Sequence, residues 1–106
     1  MKDHKQPSIE YHPAFALELD EAVGYLEEKA GLGDALVQCV EEATLRIQSS
    51  PLVFHVDRKM DARRCIVRRF RYSLYFDYDA ALNRVFVYAL AHSSRKPAFW
   101  IDRRKK

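Results

Sequence analysis

Along the first half of the chain, apolar side chains return at the three- and four-residue spacing of a helix; along the second half they return every second residue. Phe15, Leu19, Ala22, Val23, Leu26 and Ala30 form one stripe, with Glu18, Glu21, Glu27 and Glu28 off it, which predicts an amphipathic helix with one buried face. Pro13 suits its first position, where an N–H would have no partner anyway, and Gly31 stops it. Gly31-Leu32-Gly33 leaves room only for a tight reversal, after which Leu36, Val40, Ala43 and Ile47 define a second stripe. The two stripes predict an αα-hairpin. Ser49-Ser50-Pro51 ends the second helix, because the residue before a proline is pushed out of the α region. Ser8–Tyr11 reads as a short strand, and residues 52–62 as a loop with a short extended piece at 53–56.

From Arg63 the period is two. Cys65 and Val67 share a face with Arg63 and Arg69, while Ile66 and Phe70 share the other with Arg64 and Arg68. Leu74, Phe76 and Tyr78 then alternate with Ser73, Tyr75 and Asp77, a turn follows at 79–83, and 85–91 is nearly continuously apolar, as an interior strand should be. Three consecutive strands with short connections make an antiparallel meander, and the helical hairpin must pack on it to cover its stripes. The expected class is α+β.

Length and composition narrow this further. A chain of 106 residues, 48% apolar and 12% aromatic, suits one globular domain rather than two cores or a disordered segment. Residues 1–7 and 104–106 read as frayed ends of that single domain, 1–106. The N-terminus has no apolar core of the signal-peptide kind, and no apolar run approaches the ~18 residues of a membrane span. A cytoplasmic location, with no membrane partner, is the expectation. Cys39 and Cys65 lie outside any Cys-x-x-Cys or Cys/His cluster and read as buried thiols, and His4, His12, His55 and His92 are too scattered for zinc. With only Gly24, Gly31 and Gly33 there is no phosphate-binding loop. No metal or cofactor is expected.

Charge divides sharply. Residues 1–53 hold 4 Lys/Arg against 10 Asp/Glu, and residues 54–106 hold 14 against 5, so −6 and +9 combine to the net +3. A negatively charged partner is therefore expected at the C-terminal half. Both predicted helices expose acidic faces, which argues against a helix-turn-helix entering a DNA groove.

The chain resembles the RelE/ParE superfamily of small bacterial and plasmid toxins. The residues that carry the resemblance are His12-Pro13-Ala14, Leu32-Gly33, Ile47 ahead of Pro51, residues 63–70, Arg71-Tyr72-Ser73-Leu74-Tyr75, and Ala91-His92-x-x-Arg95-x-Pro97-x-x-Trp100-x-x-Arg103. It spans residues 9–103. It implies an N-terminal strand and αα-hairpin packed on a curved antiparallel sheet with a C-terminal three-strand meander. It also implies a cognate antitoxin that wraps the toxin, and contact with operator DNA only through that antitoxin.

The superfamily divides by target: RelE-like members resemble ribosome-dependent, metal-independent mRNA interferases, whereas ParE-like members poison DNA gyrase. An interferase needs a group to activate the ribose 2′-OH, a cation for the phosphorane-like transition state and an acid for the leaving oxygen. His92, with Arg95 and Arg68, is the candidate set for that chemistry. Yet Ser73 stands where the resemblance implies a catalytic arginine, and Phe99-Trp100 where it implies a tyrosine or lysine. The Tyr72-Ser-Leu-Tyr and His92-x-x-Arg95-x-Pro97 forms look closer to ParE and to plasmid stabilisation proteins, so a ParE-like toxin is the favoured reading and an interferase the alternative.

Arg63, Arg64, Arg69 and Arg103 are candidates for contact with the target or with phosphate, and Leu17 and Tyr25, with an open edge strand, for contact with the antitoxin. More ordinary roles stand beside these. His92 ends a buried strand and suits a structural hydrogen bond. Pro97 and Trp100 suit packing of the C-terminal segment on the sheet, and residues 103–106 read as a solvated tail that adds nonspecific attraction for phosphate.

Overall fold

The computed structural model describes residues 5–104. The elements run β1 (Ser8–Tyr11), α1 (Ala14–Ala30), α2 (Gly33–Ser49), a 3-10 turn (Pro51–Val53), β2 (Val56–Asp57), β3 (Ala62–Ile66), β4 (Tyr72–Asp79), β5 (Arg84–His92) and a C-terminal 3-10 helix (Pro97–Arg104). Two helices pack on one five-stranded sheet of order β1-β5-β4-β3-β2.

Local chemistry explains the hairpin. The His12 ring Nδ1 accepts the Ala14 N–H at 3.1 Å, and the His12 carbonyl accepts that of Phe15, satisfying two first-turn donors of α1. At the other end Gly31 takes φ 69, with its N–H bonded to Glu27 O and that of Leu32 to Leu26 O, a Schellman reversal. The helices approach closely at Gly33: a Cβ there would meet Glu27 Oε1, which accepts the Gly33 N–H, at 3.0 Å and Val23 Cγ1 at 3.1 Å. Burial follows the predicted stripes, with Phe15, Ala22, Leu36, Val40, Ala43 and Ile47 closing over Cys65, Val67, Leu74, Phe76, Val85, Val87 and Leu90.

The sheet differs from the expected one in its first strand. The meander is antiparallel, but β1 joins β5 in parallel, Ser8 opposite Arg84 through Tyr11 opposite Val87, so the sheet is mixed. The reason is the route: the hairpin between β1 and the meander is long enough to carry the chain across one face and back, as a parallel pairing requires. The 52–62 segment also differs, forming a 3-10 turn and then the two-residue β2 instead of an extended piece at 53–56. β3 stops at Ile66 rather than continuing to Phe70. The chain turns there with Arg69 at φ 76, and Phe70 packs against the helix-side core instead of facing away from it.

The other face of the sheet has its own core of Met60, Ala62, Tyr75, Ala89, Ala91 and Trp100. Trp100 is fully buried, its ring 4.8 Å from Tyr75 and stacked at 5.7 Å on Tyr88, so it fixes the C-terminal segment on the sheet as its sequence context implies. Residues 1–4 and 105–106 of the ends read as frayed lie outside the described residues. Within 5–7, Pro7 is buried with its carbonyl held by Gln48 Nε2.

A β-bulge sets the phase of β5. Tyr75 pairs with Ala89 and Phe76 with Val87, so Tyr88 is the extra residue. Val85 and Val87 therefore face the helices, Ala89 and Ala91 the opposite side, and Leu90 the helices again. Beyond Val87 the outer edge of β5 has passed the end of β1, and side chains take over its hydrogen bonds. Glu18 Oε1 accepts the Leu90 N–H at 3.0 Å, Arg103 Nη1 donates to the Tyr88 carbonyl at 2.9 Å, and Glu18 Oε2 and Arg103 Nη2 are 2.7 Å apart. Arg103 is thus part of the fold, not of a solvated tail.

The Glu18 and Arg103 side chains are only 14% and 17% exposed, so removing one partner strands the other away from water. Glu18→Ala is expected to lower stability by about 3–5 kcal/mol, read from urea denaturation. Glu18→Gln, which keeps an acceptor for Leu90 but no charge for Arg103, is expected to lose less.

Candidate functional site at the His92 end of the sheet

The β3–β4 turn and the exit from β5 meet at one end of the sheet. Tyr72, first in β4, lies opposite His92, last in β5, with the rings edge to face at 5.0 Å. The Ser93 N–H donates to the Arg71 carbonyl at 2.7 Å, and the Arg95 N–H to the His92 carbonyl at 2.9 Å, so a tight turn at 92–95 is stitched to the neighbouring one. Because of the bulge, His92 shares the helix side with Leu90. Together with Tyr72, Ser94 and Arg95 they line a cleft of about 190 Å³ whose α1 wall is Glu18, Glu21 and Ala22.

The imidazole is held in one form. Its Nδ1 receives the Ser94 backbone N–H at 3.1 Å and lies 2.8 Å from the Ser94 hydroxyl. A backbone N–H can only donate, so Nδ1 is the acceptor and the proton of the neutral ring sits on Nε2. This form carries its N–H at Nε2 and leaves no free lone pair at Nδ1. A base for a ribose hydroxyl needs the opposite. Tyr72, half-buried, has its phenol pushed above the usual tyrosine range, first by burial and then by nearby Tyr25, so it stays a neutral donor.

The other candidate residues disperse. Arg63 faces the helices at the far edge and donates to the Phe54 carbonyl at 2.7 Å, and Arg64, on the opposite face, donates to Ser73 Oγ at 3.1 Å. Arg68 stands 3.4 Å from Glu42 of α2, an exposed pair worth little. Arg69 is exposed in the turn, and Arg103 is engaged by Glu18. Arg95 is exposed with its guanidinium 4.1 Å over the Phe99 ring. Leu17 and Tyr25 are 62% and 58% exposed on α1. Of the arginines proposed as catalytic, the structure brings Arg95 to His92. It adds Tyr72, Ser94 and Glu21, with Arg71 held through its carbonyl by Ser93, none of which the sequence reading assigned to a site. Counting outward from the turn at 79–83 places Tyr72 opposite residue 91, one residue short of His92, and the unrecognised bulge accounts for the difference.

The chain matches no protein-family model. No curated protein matches its sequence.

Larger clefts lie elsewhere, two of which bear on the candidate residues. One of about 520 Å³, lined by Asp77, Asp79, Arg84, Phe86 and Tyr88, is on the sheet face away from the helices, where the Tyr88 hydroxyl donates to Asp77 and Arg84 approaches Glu10. The other, about 490 Å³ and mostly apolar, lies between the end of β1, the first turns of α1 and the middle of α2, walled by Tyr11, Pro13, Phe15, Leu19, Val37 and Val40. Among the described residues no group of three His, Cys, Asp or Glu converges as a metal site needs, and no helix is long and apolar enough to cross a membrane.

Cys65, under the hairpin, is fully buried, and burial pushes its thiol above 9.0 despite the opposing pull of Arg46 and Arg68; burial likewise raises Tyr11, Tyr72 and Tyr75 above 10.0. The unfolded chain therefore releases these protons first. Stability should be full below about pH 8.5 and fall as the pH rises through 9 to 11, seen as a drop in the urea midpoint, with a shallower drop in Cys65→Ala.

Proposed function

We propose that this protein is the toxin of a toxin–antitoxin pair of RelE/ParE type, acting as a ParE-like inhibitor of a protein target such as DNA gyrase rather than as an mRNA interferase. The reading of the family rests on the sequence resemblance, and the element order and strand order are compatible with it. The observation that carries the choice between the two chemistries is the hold of Ser94 on His92. An imidazole whose acceptor nitrogen is occupied by a backbone N–H is a poor base for a 2′-OH, and Arg68 is engaged at α2 instead of beside the ring. Ser73, where the resemblance implies a catalytic arginine, is 7% exposed and receives a hydrogen bond from Arg64.

The antitoxin would take the hairpin side. Leu17 and Tyr25 are exposed there, the apolar cleft walled by Tyr11, Phe15 and Leu19 lies near the outer edge of β1, and an added strand or amphipathic helix uses such features.

Induced expression without antitoxin tests the proposal when transcript integrity and DNA supercoiling are followed together. Growth arrest with intact messages and disturbed supercoiling is expected, and rapid codon-linked cutting of transcripts would overturn it. His92→Ala should still arrest growth; loss of toxicity with normal stability, on the order of the 10²–10⁴-fold that a proton-transfer group supplies, points back to the interferase.

A further inference from the structure

Among the described residues, three other than glycine have positive φ: Asp61 at 53°, Asn83 at 49° and Arg69 at 76°. Aspartate and asparagine tolerate this left-handed region, whereas an arginine there is held at a cost in conformational energy. The Arg69 side chain is exposed, with the guanidinium 5.4 Å from the Phe70 ring, and among the described residues no carboxylate lies within ion-pair distance. A strained, exposed residue of this kind points to a role outside the folded core.

Its surroundings say which. Residues 68–72 and 92–96, joined through Ser93 and Arg71, contain Arg68, Arg69, Arg71, Arg95 and Lys96 and no aspartate or glutamate. Only Arg68 has a carboxylate partner among the described residues, and Glu21 bounds the group on the α1 side. His92 adds a ring N–H at Nε2. No large apolar side chain in these two segments is highly exposed, whereas a protein partner would call for a dry apolar centre. Exposed cations and donors without such a centre match a phosphate backbone, which is contacted through charge and hydrogen bonds alone.

We propose that the turn bearing Arg69, together with Arg71, Arg95 and Lys96, is a phosphodiester-backbone contact site, and that Arg69 is kept in its strained conformation to present a guanidinium to that backbone. The proposal stands whether or not the chain is a toxin.

The test is fluorescence anisotropy of the purified protein with a labelled 20-base-pair DNA duplex and a labelled 20-nucleotide RNA, over a salt series, for the wild type, Arg69→Asn, Arg69→Lys and Arg71→Ala. Wild-type protein is expected to bind at least one with steep salt dependence; preference for the duplex or for the single strand identifies the source of the backbone, and either supports the site. Arg69→Asn should bind roughly fivefold to tenfold more weakly with a salt slope lower by about one, while its Tm rises by about 2–5 °C as the strain is relieved. Arg69→Lys should stay near the wild type in both, and Arg71→Ala should lose affinity with Tm unchanged. Equal binding by Arg69→Asn, no binding of either polymer by the wild type, or tighter binding of a labelled poly-glutamate peptide than of either polymer at the same salt would overturn the proposal, the last in favour of an acidic protein.

Discussion

The open edge of β5 is the place where this fold is closed. β1 is four residues long and leaves the strand's outer edge bare after Val87, just where the bulge at Tyr88 disturbs the ladder on the other side. A buried strand with unsatisfied peptide groups would be costly and an invitation to pair with another chain. Glu18 and Arg103 remove the problem together: the carboxylate takes the Leu90 N–H, the guanidinium serves the Tyr88 carbonyl, and each neutralises the other. The ion pair stands where the peptide group of a neighbouring strand would stand. It also joins three layers, because Glu18 comes from the helix side, Arg103 from the C-terminal segment, and the edge they cap from the sheet between.

The opposite edge is finished by the same means. β2 covers only Ala62 and Arg63 of β3, and past it Arg46 of α2 donates to the Ile66 carbonyl while Arg63 reaches back to the carbonyls of Leu52 and Phe54. Two of the chain's many arginines, Arg46 and Arg103, therefore serve as substitutes for strand neighbours, while Arg63 ties β3 to the turn before β2. Their side chains are thereby withdrawn from the cationic surface, of which the group at the His92 end is one part.

That group owes its composition to the bulge. Strict alternation from Val85 would have turned Leu90 and His92 to the face under Trp100, leaving Ala89 and Ala91 to fill the core beneath the hairpin. The extra residue places Leu90 among the helix-side core and His92 against α1, with small alanines left where the Trp100 ring needs room. The imidazole then meets Ser94 through the tight turn that leaves β5, and its acceptor nitrogen is taken. The shift of one residue thus decides which face carries the histidine, and the turn decides which proton it holds.

Much of the architecture was legible in the chain itself. The helical stripes, the reversal at Gly31-Leu32-Gly33, the period-two segments and the packing role of Trp100 all follow from local spacing, because a helix or strand exposes its periodicity in the order of its residues. The fate of individual charges was not. Arg103 read as tail and Glu18 as one acidic residue on a solvated face, since nothing in a sequence shows that residues 85 positions apart meet over a bare strand edge. The parallel placement of β1, the bulge at Tyr88 and the neighbours of His92 likewise depend on pairing register, which is set by the packed core and not by the composition of any one strand. The sequence by itself determined which segments would be helix or strand and which side chains wanted burial; the tertiary structure alone decided which arginines complete the fold and which remain at the surface, because only packing settles where backbone groups are left to be satisfied.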